Sequence, residues 1–146
     1  MQRALRCAKA LMALTLPVLV AGCTALAPSD ATLPAGAIPL EASAAFQTWF
    51  SRTESCSGLR GDFSAVQFYV IPGVDAFPTP EGNKVGLWSR VGRTHRIVVA
   101  GNYLGHEMVV RHEMLHSLLS REGHPEDYFV RKCQLTWESW RLAAGN

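Results

Sequence analysis

Residues 111–125 of this 146-residue chain read Arg-His-Glu-Met-Leu-His-Ser-Leu-Leu-Ser-Arg-Glu-Gly-His-Pro. Apolar residues recur here at spacings of three and four, and no proline or glycine interrupts residues 106–122, which predicts a helix that ends at Gly123. His112 and His116 are four residues apart and therefore lie on one face of that helix. Two imidazoles at this spacing can bind one zinc ion, and Glu113 beside them can take a proton from a water on the metal.

A catalytic zinc site needs a third protein ligand, and His124 is the first candidate because the chain can turn back toward the metal after Gly123. Glu138 is an alternative on the predicted last helix, and Glu122 and Asp127 are closer carboxylates. The simpler interpretations are a solvated imidazole for His124 and helix-surface or helix-end charges for the three carboxylates. The pattern alone leaves the choice open.

The first 22 residues predict a signal peptide. Basic residues come first, and the apolar run at 10–21 that follows is too short to span a bilayer comfortably. Residues 19–23, Leu-Val-Ala-Gly-Cys, resemble the lipobox of bacterial lipoproteins, in which the cysteine becomes the lipidated first residue of the mature chain. The resemblance implies a lipid on Cys23 and a protein exported to the bacterial cell envelope and anchored in a membrane. A plain secretory signal is the alternative.

Two cysteines, Cys56 and Cys133, remain once Cys7 is removed with the signal and Cys23 carries lipid. Because disulfides persist outside the cytosol, these two are predicted to pair with each other. Such a bridge would stabilise the fold by about 4 kcal/mol in the chain-entropy account. Two buried free thiols are the alternative.

Composition divides the rest of the chain into a tether and a domain. Residues 23–38 contain the lipidated cysteine and a stretch rich in alanine, proline and threonine, which predicts a flexible tether. Residues 39–146 are then one small domain. The net charge is only +2 and no basic run occurs, so nucleic acid is not an expected partner.

The domain is predicted to be α+β. Its elements in chain order are a helix at 39–53, a strand at 64–71, a loop at 74–83, a hairpin of strands at 85–91 and 95–100 around Gly92 and Arg93, the metal helix, and a last helix from Pro125.

This order of elements, with the His112-Glu113-x-x-His116 motif, resembles the catalytic core of zincin metallopeptidases. The resemblance implies an N-terminal helix, a short three-stranded, mainly antiparallel sheet, a metal-binding helix and a C-terminal helix. It also implies that an edge strand binds extended peptide by strand addition, a role for which the strand at 95–100 is the candidate. A third histidine soon after the helix, with an aromatic residue a few positions on, is similar to compact families such as the Sprt-like peptidases, at a different spacing.

Two functions remain open from the sequence. The first is a lipid-anchored, zinc-dependent metallopeptidase that acts on a protein or peptide substrate at the envelope, with Glu113 as its base. The second is a non-catalytic, zinc-stabilised lipoprotein with a binding or structural role. Candidate donors to the reacting carbonyl oxygen are Tyr103, Tyr128, His95 and Arg111, and candidate carboxylates that orient the histidines are Asp62, Asp75 and Glu107.

Overall fold

The computed structural model describes residues 32–144. The predicted signal peptide at 1–22 and the predicted lipidation site Cys23 therefore lie outside the described residues, as does most of the predicted tether. None of the helices within 32–144 has the length and apolar character that crossing a membrane requires.

The described chain is an α+β domain, as predicted. Its strands are β1 (Ile38–Leu40), β2 (Val66–Ile71), β3 (Phe77–Thr79), β4 (Gly82–Lys84), β5 (Gly86–Val91) and β6 (Thr94–Ala100). Its helices are α1 (Ala44–Ser57), α2 (Glu107–Leu119), a π-helix (Asp127–Lys132) and α3 (Trp137–Ala144), with short 3-10 turns at Phe63–Ala65 and Gly101–Tyr103.

The main sheet has four strands in the order β1-β2-β6-β5, not the predicted three. It is mixed, because β2 runs parallel to β6 while the other two pairs are antiparallel. The predicted hairpin is confirmed, with Val91 opposite Thr94 and Gly92 at a φ of 59° in the turn. The predicted loop at 74–83 instead contributes most of a separate two-stranded ribbon of β3 and β4.

Strand β6 is not an edge strand, which corrects the role predicted for residues 95–100. It pairs with β2 on one side and β5 on the other, so no further strand can add to it. Ile97, Val98, Val99 and Ala100 are all at most 1% exposed, as expected for an apolar run covered on both faces. The edge on this side of the sheet is β5.

The first helix begins later than predicted. Pro39 lies in β1, an edge strand that can accommodate a residue without an N–H group. Ser43 then caps α1 by accepting a hydrogen bond from the N–H of Phe46 at 3.4 Å. The folded part also begins before residue 39, because Leu33 and Ala37, predicted to be tether, pack against a buried apolar cluster.

The predicted disulfide is confirmed between Cys56 in α1 and Cys133 just after the π-helix, with the two Cα atoms 5.1 Å apart. It fastens the C-terminal segment to α1 on the helical side of the domain. Between these elements lies α2, whose Val110, Met114 and Leu115 are fully buried. The helix that carries the histidine pair is therefore held by its buried apolar face.

The last predicted helix is split in two. The π-helix ends in wide turns, in which the N–H of Cys133 bonds to the carbonyl of Tyr128 at 3.0 Å and that of Leu135 bonds to the carbonyl of Phe129 at 2.7 Å. Gln134 takes a positive φ of 55° between them. A new helix, α3, then starts after Thr136, and the carbonyl oxygen of Leu135 in the connecting segment lies 2.7 Å from Nδ1 of His112.

Candidate metal centre

Three histidines meet in the described structure, and they are the three predicted from the sequence. The Nε2 atom of His124 lies 2.9 Å from Nε2 of His112 and 3.2 Å from Nε2 of His116. The ligand atoms of all three lie within 4.8 Å of one another. The helix spacing of His112 and His116 places two of these rings, and the loop after α2 delivers the third.

The loop reverses direction as the sequence predicted, although the helix ends earlier. Helix α2 stops at Leu119, and Ser120 takes a left-handed conformation with a φ of 50°. Gly123 follows with a φ of 79°, a conformation that glycine adopts without strain. These two turns direct His124 back over the face of α2 that carries the other histidines.

Backbone carbonyls fix the tautomers of the two helical histidines. Nδ1 of His112 lies 2.7 Å from the carbonyl oxygen of Leu135, and Nδ1 of His116 lies 3.0 Å from that of Arg121. A carbonyl oxygen can only accept a hydrogen bond, so each Nδ1 carries the proton. Each Nε2 therefore presents a lone pair to the centre of the cluster, as a metal ligand does.

The histidines are also in the charge state that metal binding requires. Burial lowers the pKa of His112 to about 4 and that of His116 to about 4, and it lowers the pKa of His124 as well. The rings are thus neutral near pH 7. In a tetrahedral site with zinc–nitrogen bonds of ~2.0–2.1 Å the nitrogens lie about 3.3 Å apart. The distances from Nε2 of His124 to Nε2 of His112 and of His116, 2.9 and 3.2 Å, are close to this spacing. The donor set fits a divalent metal ion, and imidazoles suit several such metals.

The carboxylates that rivalled His124 are not part of this cluster. Asp127 forms an ion pair with Lys132 at 2.8 Å. Glu122 lines the same cleft but does not join the converging ligand atoms. Glu138 lies in the first turn of α3. Among the residues that the structure describes, His124 is therefore the third ligand candidate that geometry supports.

The ring of Phe129 packs against all three imidazoles. Its centroid lies 4.8 Å from those of His112 and His116 and 4.9 Å from that of His124, and the side chain is fully buried. The π-helix supplies this residue, and π-helical turns recur at functional sites. This role of Phe129 was not predicted from the sequence. The sequence feature that could have indicated this role is the position of Phe129, an aromatic residue five positions after His124.

Glu113 lies beside the histidines and not among them. Only 7% of it is exposed, and its carboxylate accepts a hydrogen bond from the backbone N–H of Trp88 in β5. Burial raises the pKa of Glu113 to about 8, although the Trp88 N–H and the charge of Lys84 act in the opposite direction. A Cβ atom at Gly86 would come within 2.6 Å of Glu113 Oε1, so glycine leaves the space that this carboxylate occupies.

Trp88 connects the edge strand to the site through its side chain as well. Its indole stacks on the ring of His116, with centroids 6.1 Å apart and an angle of 16° between the planes. The indole N–H donates to Nδ1 of His95 at 3.1 Å. Phe129 and Trp88 thus restrict the orientation of the ligand rings with apolar surfaces.

The histidines and Glu113 open into one cleft of about 580 Å³. On one side it is bounded by the end of β4 and the outer edge of β5, and on the other by the His124 loop and the segment before α3. The lining residues are Glu81, residues 83–88, Met108, Val109, His112, Glu113, His116, residues 122–124 and residues 135–137.

The donors predicted for a reacting carbonyl oxygen lie elsewhere. Arg111 is buried and bonds to Glu107 at 3.0 Å. Tyr128 lies beneath the Lys132 ammonium, which is 4.4 Å from its ring centroid. His95 accepts from Trp88, as described above, and Tyr103 packs against the rings of His106 and Trp137. None of these four residues is among those that line the cleft in the described part of the chain.

The carboxylates proposed to orient the histidines are also engaged elsewhere. Asp62 accepts from Ser64, Asp75 accepts from Asn102 at 2.8 Å, and Glu107 binds Arg52 and Arg111. The backbone carbonyls of Leu135 and Arg121 orient the rings instead. A sequence pattern does not reveal such acceptors, because every residue carries a carbonyl and only the fold decides which one faces a ring.

Comparisons of the chain with protein-family models, with curated proteins and with solved structures found no match.

Proposed function

We propose that this protein is a zinc-dependent hydrolase, a metallopeptidase of zincin type that is anchored at the bacterial cell envelope by a lipid on Cys23. The observation that carries the proposal is the convergence of three neutral imidazoles beside a buried carboxylate in one open cleft. His112, His116 and His124 are the proposed zinc ligands, and Glu113 is the proposed general base.

The arrangement suits a catalytic metal better than a structural one. Structural zinc sites generally have four protein ligands, whereas catalytic sites keep one position open. This cluster has three ligand groups within the described chain, and all of them line the cleft. Burying Glu113 is costly for the fold, and a purely structural site has no use for a carboxylate there.

The residues of the cleft can carry out amide hydrolysis. A bound zinc ion would lower the pKa of a coordinated water toward ~7 and polarise the substrate carbonyl. The charge of a bound metal ion would lower the raised pKa of Glu113 and favour its ionised form. Glu113 can then take a proton from the attacking water and pass it to the leaving amine. The N–H of Trp88 and the close approach of Gly86 hold the Glu113 carboxylate in place for both transfers.

The edge strand β5 supports an extended peptide as the substrate. Val91 and Thr94 flank a two-residue turn and form a hydrogen-bonded pair. From there along the hairpin, non-hydrogen-bonded and hydrogen-bonded pairs alternate, so Gly86 and Trp88 fall at non-hydrogen-bonded positions opposite β6. Gly86 and Trp88 therefore direct their backbone N–H and C=O groups away from β6 and toward the outer edge, where the Trp88 N–H is bound to Glu113 and the remaining groups face the cleft. An extended chain could pair with this edge above the histidines. At the envelope, protein or peptidoglycan peptide is the expected substrate.

Metal content and cleavage, measured together, test this proposal. The full chain is purified without added metal, and the wild type, Glu113→Gln and His124→Ala are compared on a broad pool of peptides by mass spectrometry. We expect one zinc per wild-type chain, much weaker retention in His124→Ala, and retained zinc with an activity loss of about 100- to 10,000-fold in Glu113→Gln.

Glu122→Gln is the matched control, because Glu122 is a carboxylate that lines the same cleft outside the histidine cluster. This variant should keep both zinc and activity. Zinc retention without any cleavage by the wild type would favour the non-catalytic lipoprotein. A folded wild type that keeps no zinc when it is supplied would contradict both functions.

A further inference from the structure

The proposed reaction leaves one requirement unassigned. When water attacks an amide, negative charge develops on the carbonyl oxygen, and a second donor beside the metal usually stabilises it. The four donors predicted from the sequence lie outside the cleft. A donor must therefore come from the residues that line it.

Lys84 is the one lysine or arginine among the described residues that line the cleft. It is the last residue of β4 and lies two positions before Gly86, the residue in contact with Glu113. Its side chain is 36% exposed, so the ammonium group remains accessible from the cleft. Its Nζ lies 3.4 Å from a carboxylate oxygen of Glu81, which is itself 72% exposed.

Lys84 lines the same cleft as all four groups proposed to take part in the chemistry, the three histidines and Glu113. The paired Glu81 is exposed, so a substrate oxygen can replace it as the partner of Lys84 at little cost.

We propose that Lys84 is a catalytic residue that donates a hydrogen bond to the carbonyl oxygen of the scissile amide, an inference that rests on the proposed peptidase function. Water forms a bond to the carbonyl carbon while its proton passes to Glu113, and the carbonyl π electrons move to the oxygen bound by Lys84. The carbon–nitrogen bond then breaks, the carbonyl re-forms, and the proton on Glu113 passes to the amine. Lys84 donates a hydrogen bond and transfers no proton, so atoms and charge balance.

The test compares Lys84→Met, Lys84→Arg and Lys132→Met with the wild type, as full chains. Lys132 is the matched control because it is an exposed lysine in an ion pair with Asp127. The readouts are zinc content, kcat and KM on the best peptide of the pool, and affinity for a phosphinic peptide of the same sequence. The phosphinate is a charged, tetrahedral analogue of the transition state.

We expect Lys84→Met to keep its zinc and its KM while kcat falls by about 100- to 1,000-fold and the phosphinic peptide binds correspondingly less tightly. Lys84→Arg should recover part of the lost kcat and part of the lost affinity for the phosphinic peptide. Lys132→Met should match the wild type in both. Wild-type kcat in Lys84→Met would overturn the role of Lys84 and leave the peptidase intact. A change in KM alone would also overturn it, and would assign Lys84 to binding a substrate carboxylate. A wild type that cleaves nothing would overturn the peptidase proposal and the role of Lys84 with it.

Discussion

The Nδ1–H of His112 donates a 2.7 Å hydrogen bond to the carbonyl oxygen of Leu135. Leu135 is fully buried and lies two residues after Cys133, which the disulfide joins to Cys56 in α1. The disulfide therefore holds in place the carbonyl that orients a ligand ring. The disulfide is thus linked to the candidate metal site through Leu135.

Removal of the disulfide should weaken metal binding as well as stability. In the double variant Cys56→Ser, Cys133→Ser we expect the free energy of unfolding to fall by about 2–5 kcal/mol. Removing the hydrogen-bond partner of a metal ligand typically lowers metal affinity by about 10- to 100-fold. Because the Leu135 carbonyl here loses only its restraint, zinc affinity measured against a competing chelator should fall by about tenfold. Unchanged affinity in a folded double variant would show that α1 does not help to position His112.

Phe129 is predicted to position the histidines beyond its contribution to the core. Phe129→Ala removes a fully buried ring and should destabilise the fold by about 3–5 kcal/mol. It also removes the surface shared by all three imidazoles, so zinc affinity measured at a temperature where the variant is folded should fall as well.

Phe77→Ala provides the comparison for Phe129. Phe77 is 2% exposed but packs in the second apolar cluster, away from the histidines. Its truncation should cost similar stability and leave zinc affinity unchanged. Equal losses of affinity in the two variants would mean that Phe129 acts only through global stability.

Gly86→Ala is predicted to reduce activity without loss of metal. The new Cβ would lie 2.6 Å from Oε1 of Glu113, so the carboxylate must move. Cγ and Cδ of Glu113 would lie only 2.9 and 3.1 Å from the new Cβ, so most of this buried side chain must shift and some stability is lost as well. Because about 1 Å of misplacement can cost a hundredfold in rate, kcat should fall by about 10- to 100-fold with zinc content unchanged.

The control for this variant is Gly105→Ala, since a Cβ there meets nothing within 4 Å. It should retain wild-type kcat and zinc. If Gly86→Ala also retained wild-type kcat, the carboxylate of Glu113 would not need its observed position for the reaction.

Local patterns in the sequence were sufficient to predict α2, the β5–β6 hairpin, the disulfide and the meeting of His112, His116 and His124. Each depends on neighbours in the chain or on the chemistry of a few residues. Helix spacing places two histidines without knowledge of the rest of the fold. Two remaining thiols allow a single pairing.

Other features depend on long-range pairing that no local pattern determines. The apolar, β-branched run in residues 95–100 indicates a strand but not which strands flank it, so the edge role was assigned to the wrong member of the hairpin. Pro39 suits the start of a helix as well as an edge strand, and only pairing with β2 decides. Lys84 and Phe129 gave no strong signal because lysines and buried aromatics are common, and their roles come from tertiary position alone.

X-ray absorption at the zinc edge tests the central claim most directly, because it reports the atoms bound to the metal. For the zinc-loaded wild type we predict three imidazole nitrogens and one oxygen at about 2.0–2.1 Å. His124→Ala, loaded with zinc in the same way, should show one imidazole fewer. A wild-type spectrum without three imidazoles, or the same spectrum for both proteins, would contradict a zinc centre built from His112, His116 and His124.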